Sequence, residues 1–73
     1  MTLNPEEVTA LRMRLGMSKP ELSRALGLQE DACRAWENGR KACTGTSALA
    51  LRLYAKLSET PAGRRMLKAA LGY

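Results

Sequence analysis

The stretch from Ser18 to Gly39, "SKPELSRALGLQEDACRAWENG", decides the fold. Ser18 opens it as a helix N-cap, and Glu21 three residues on completes a capping box, in which each side chain accepts the other residue's backbone N–H. Leu22, Ala25 and Leu26 then form the inner face of a helix about two turns long. Gly27 interrupts that helix, and Leu28 is expected to plug back into the core. A second short helix is expected from Glu30 to Asn38, with Cys33 and Trp36 inward, and Gly39 ends it.

Outward from this centre the chain also reads as helical. Leu, Ala, Arg, Met and Glu dominate, all good helix formers, and strand formers are scarce. On the N-terminal side Asn4 is an N-cap, Pro5 takes the first helical position, and Glu6 and Glu7 sit in the positive first turn. Val8, Leu11 and Leu15 follow at helical spacing, and Gly16 closes this segment as a left-handed residue, giving a helix over Pro5–Leu15. On the C-terminal side "RKACTGTS" has no apolar periodicity and reads as a loop, with Thr46 or Ser47 as the next N-cap. Leu49, Leu53 and Leu57 mark the face of a fourth helix, widened by Leu51 and Tyr54. Thr60 and Pro61 start a fifth, which carries Met66, Leu67, Ala70 and Leu71. The expectation is an all-α, compact five-helix domain with no repeat or linker.

At 73 residues the chain has room for one small domain, and no separate catalytic or sensor domain is expected. Two cysteines and no histidine give neither a zinc site nor a disulfide scaffold. Cys33 reads as a small core residue and Cys43, in the loop, as incidental. Oligomerisation remains the common way for so short a chain to bury more surface, which makes a homodimer the expectation. Twelve Lys and Arg against seven Asp and Glu leave a net charge of +5, a balance that favours a phosphate-rich partner. No apolar run approaches the ~20 residues of a membrane span, and the acidic "NPEE" start is unlike a signal peptide. A cytoplasmic protein is expected. With no His, no Gly-rich phosphate loop and no nucleophile beside a base, no enzyme, cofactor, metal or small-molecule ligand is expected.

Two short helices at a tight glycine turn are the helix-turn-helix arrangement, whose second helix enters the DNA major groove. Counting twenty residues from Lys19 to Asn38, apolar residues fall at places four, eight, ten, fifteen and eighteen: Leu22, Leu26, Leu28, Cys33 and Trp36. Gly27 holds the turn place, and Ser23 supplies the small residue at place five, where the helices approach. On these residues, with "LGMSKPELSRALGL" followed by "AWENGR", the chain resembles the Cro and lambda-repressor (XRE-like) helix-turn-helix family from Pro5 to about Leu57. Ser23 departs from the commoner Ala, and Pro20 sits early in the first helix of the unit, where Pro is tolerated. The layout also resembles phage and mobile-element autorepressors, including anti-CRISPR-associated regulators, and the DNA-binding part of antitoxins.

The resemblance implies that base edges are read by Gln29, Glu30, Asp31, Arg34 and Ala35. Gln29 suits adenine, Arg34 suits guanine or a phosphate, and Ala35 suits a thymine methyl. Glu30 and Asp31 either accept from cytosine N4 or only partner the helix dipole, and the sequence leaves both open. Phosphate contacts are expected from Ser18 and Lys19 at a helix N-terminus and from Arg40, Lys41, Thr44, Thr46 and Ser47 after the second helix. Each single Lys or Arg among these could equally be a solvated surface charge. Arg12, Arg14, Arg52, Lys56, Arg64, Arg65 and Lys68 are assigned mainly to solvent, with Arg14 and Arg24 as further backbone contacts. Leu67, Leu71 and Tyr73, on the helix over 61–71 and just beyond it, are the dimer candidates, unless they cover the monomer's own core.

What the resemblance implies is a homodimeric, sequence-specific repressor that occludes a promoter at an inverted repeat and autoregulates its operon. The rival from another class is an antitoxin that binds a toxin protein as well as DNA, through the tail after Leu57. A third reading is the DNA-binding part of a larger regulator.

Overall fold

The computed structural model describes residues 1–72. It is a mostly helical domain with one small antiparallel sheet. The elements run β1 (Thr2–Leu3), α1 (Pro5–Leu15), α2 (Lys19–Ala25), α3 (Ala32–Glu37), β2 (Cys43–Thr44), α4 (Gly45–Leu57) and α5 (Pro61–Leu71). α1 lies against α3 and α4, α2 against α3, and α5 against α4.

Local capping sets most helix ends. Asn4 and Glu7 form a capping box at α1, Ser18 and Glu21 form another at α2, and Thr60 accepts the Gly63 N–H at α5. Gly16 ends α1 at φ 69°, and there the Gly16 and Met17 N–H groups bond the Met13 and Arg12 carbonyls. Gly27 after α2 repeats the device at φ 74°, with the Gly27 and Leu28 N–H groups on the Arg24 and Ser23 carbonyls. The two turns differ in the residue after the glycine. Met17 enters the core, whereas Leu28 stays 39% exposed and does not plug back as its spacing predicts.

The core is built from Leu3, Val8, Met17, Leu22, Cys33, Trp36, Cys43, Ala48 and Leu51, with Leu11, Leu15, Leu26 and Leu71 packed around it. Three expectations are corrected here. The segment read as a loop contains β2, which pairs with β1 in the register Leu3↔Cys43, and Cys43 is a core residue. Two-residue strands are too short to leave an alternating pattern. Next, α4 starts after Thr44 and not after Thr46 or Ser47, because the β2 pairing carries the chain directly into the helix. Finally, α4 buries Leu51 as expected and keeps Tyr54 and Leu57 half-buried, but it turns Ala48 and Ala55 inward and leaves Leu49 and Leu53 exposed, against the face their spacing predicts. Small residues on the inner side let the helix axes approach closely.

α5 buries Gly63 and Leu67 and leaves Met66 and Ala70 outside. A Cβ on Gly63 would collide with the Leu57 carbonyl oxygen, so this glycine is what lets α5 fold back onto the end of α4. Leu67 is buried and Leu71, half-buried, packs on the core, which is the alternative the sequence left open for them. The third dimer candidate, Tyr73, lies outside the described residues.

Candidate nucleic-acid interface

α3 is shorter than its sequence predicts. It begins at Ala32, so Glu30 and Asp31 stand in the turn before it, and the Asp31 side chain makes no cap hydrogen bond. The cap comes from α2 instead: buried Ser23 Oγ accepts the Cys33 N–H at 3.0 Å and donates to the Lys19 carbonyl at 3.0 Å. Ser23 therefore satisfies an N-terminal amide of α3 that no residue of α3 itself reaches.

An open groove of roughly 800 Å³ runs beside α3, lined by Leu28, Gln29, Asp31, Ala32, Ala35, Trp36, Arg40, Lys41 and Ser47. The structure thus brings together Gln29 and Asp31, expected to read bases, with Arg40, Lys41 and Ser47, expected to hold phosphates. Arg34 is exposed on α3, on the side that Asp31 and Asn38 share at helical spacing. Two base-reading expectations are revised. Glu30 is not on the groove wall; it faces Arg24 across the turn at 3.4 Å, both side chains solvated. Ala35 is only 4% exposed, because the chain after α3 folds back and the Lys41 N–H bonds the Ala35 carbonyl at 3.2 Å. It floors the groove and cannot project toward a base.

The phosphate candidates divide in the same way. At the α2 N-terminus Ser18 is engaged internally: its N–H donates to Glu21 Oε1 at 2.8 Å, and its Oγ accepts the Glu21 N–H. The Ser18 backbone N–H, and after it the Ser18 hydroxyl, hold the Glu21 carboxyl below its ordinary value, and Pro20 offers no N–H. The anion site expected at Ser18 is filled by the protein's own carboxylate, which leaves the Lys19 ammonium as the cation at this end. Thr44 lies in β2 and Thr46 on the exposed side of α4, neither on the groove. Arg14 lies with Arg52, Lys56 and Glu59 beside α4, away from the groove.

What holds α3 in place is not legible in the motif. Arg12, assigned to solvent from sequence, donates from Nε to Glu37 Oε2 at 2.7 Å and from Nη1 to the Met17 carbonyl at 3.0 Å. Thr9 Oγ1 donates to Glu37 Oε1 at 2.6 Å, and Cys33 Sγ to Glu37 Oε2 at 3.0 Å. Burial alone would push the Glu37 carboxyl up, but these hydrogen bonds, Arg12 first, hold it down at about 2. The bond to Glu37 in turn raises Arg12. Burial, then the bond to Glu37, pushes the Cys33 thiol up to about 12, so this thiol beside a carboxylate is no nucleophile. The signal available was Thr9 and Arg12 at i, i+3 on α1 with an acid inside "WENG".

Among the described residues no group of His, Cys, Asp and Glu could hold a metal ion, and no helix is long and apolar enough to cross a membrane. No protein-family model, curated protein or solved structure matches this chain.

Proposed function

We propose that the chain is a helix-turn-helix DNA-binding repressor of the Cro and lambda-repressor type, two copies of which occupy an inverted repeat. α2 and α3 serve as the helix pair, with α3 entering the major groove. The observation that carries this reading is the groove beside α3: Gln29 and Asp31, side chains that can pair with base edges, share it with Arg40 and Lys41 in a chain of net charge +5. Cations that hold phosphates supply affinity, while acceptors and amides aimed at base edges supply choice. An acid beside cations costs affinity for any polyanion, so Asp31 makes sense where cytosine N4 is to be told from other bases. Repression follows from occupancy of the promoter.

The test is selection of sites from a randomised duplex library, with affinities followed against salt. An inverted repeat is expected, and log K should fall with log salt at a slope of about 0.9 per phosphate contact. Binding that is salt-sensitive but blind to sequence would overturn the reading and favour a protein partner.

A further inference from the structure

The outward side of α4 is a surface that neither the core nor the groove uses. Leu49 and Leu53, one helical turn apart, stand 47% and 54% exposed, opposite the inner side formed by Ala48, Leu51 and Ala55. Exposed Thr46 and half-buried Ala50 and Leu57 continue the stripe. Flanked by the exposed Arg52 and Lys56, these leucines form an apolar stripe that this chain leaves uncovered.

Area decides what can cover it. Thirteen residues of helix present a face about 20 Å long and about 10 Å wide, roughly 200 Å². A stable complex buries about 800 Å² per partner, some four times as much. So small a patch does not hold a free protein partner, and two free copies at +5 each also repel one another. Both obstacles are removed on DNA: phosphates neutralise the charge, and neighbouring half-sites supply the effective concentration. The stripe is also self-complementary, since an antiparallel two-fold contact sets Leu49 of each copy against Leu53 of the other. α4 starts at the groove, with Ser47 on its wall, so the whole face stays within about 20 Å of it along the helix axis. That reach fits recognition helices about 34 Å apart.

We propose that a second copy of this chain docks on the α4 face through Leu49 and Leu53, and that the contact forms on DNA and not in free solution. The inference rests on the DNA reading above and names the surface that pairs the copies.

The test uses the duplex recovered from the randomised library, in versions with two half-sites and with one, and compares the wild-type chain with Leu53→Glu. Sedimentation at low micromolar protein without DNA is run alongside. Both proteins should sediment as monomers. The wild type should fill paired half-sites cooperatively, about tenfold or more tighter than a single half-site. Leu53→Glu should keep the single-site affinity and lose that gain. Leu49→Gln, a milder change at the other leucine, should lose it too and serves as the readout in case Leu53→Glu does not fold. Cooperativity retained in both variants, absent from the wild type, or replaced by a wild-type dimer without DNA overturns the contact. Preferred half-sites filled independently would remove the contact alone, whereas recovery of no preferred duplex would remove the DNA reading and the contact together.

Discussion

Glu37 carries its charge where water barely reaches, and every bond around it favours the ionised form. Its folded-state value of about 2 lies below the ordinary 4.5, so the unfolded chain takes up the proton first. The stabilisation is complete above about pH 4.5 and is lost as pH falls toward 2. Unfolding by urea measured across that window should show stability falling with acid in the wild type and a flatter profile in Glu37→Gln. Glu37→Ala at neutral pH leaves Arg12 without its partner and should cost about 3 kcal/mol. The acids of the α2–α3 turn separate at this scale too. Asp31→Ala should relax the base preference at one position of the selected site, while Glu30→Ala, which only frees Arg24, should leave the preference intact. Arg34→Ala should cost about 1–3 kcal/mol on the preferred site if Arg34 meets a base, and a uniform loss on all sequences would assign it to a phosphate.

At the scale of elements, α3 depends on α2 for its start and α5 depends on a glycine for its approach. Ser23→Ala removes the acceptor of the buried Cys33 N–H, and the expected cost is about 1–2 kcal/mol by equilibrium unfolding. An unchanged midpoint would show that α3 finds its cap elsewhere. Gly63→Ala forces a methyl against the Leu57 carbonyl and should destabilise the α4–α5 corner by about 1–3 kcal/mol. Helix ends were largely legible in the residues. Asn4, Ser18, Thr60, Gly16 and Gly27 each act through hydrogen bonds within a few residues of themselves, so the signal and its effect share one short window. The start of α3 was not legible, because its cap lies on another helix.

For the whole molecule, the leucines sort into those that hold the domain together and those that face outward, and the two sets are not the ones spacing suggests. Leu67→Ala should cost about 2–4 kcal/mol, as a core truncation does, whereas Leu53→Ala should shift stability by no more than about 0.5 kcal/mol. Equal losses at the two positions would contradict the burial assigned to them. The candidate interface divides similarly. Gln29, Asp31, Arg40, Lys41 and Ser47 line one groove with Ala35 as its floor, while Glu30, Thr44 and Thr46 lie off it, Glu30 paired with Arg24 and Thr44 in the two-stranded sheet.

The sequence by itself determined the helical class, the positions of α1, α2 and α5, the glycine turns between helices and the basic character of the surface. Caps, propensities and charge counts are properties of neighbouring residues or of simple sums, and they survive without knowledge of packing. Only the tertiary structure decided which side of α4 faces inward, where Leu3 pairs with Cys43, and that Arg12 is bound to Glu37. Each of those depends on two segments far apart in the chain. α4 carries leucines on one side and mainly alanines on the other, so periodicity alone permits either face. The close approach allowed by Ala48 and Ala55 made the choice.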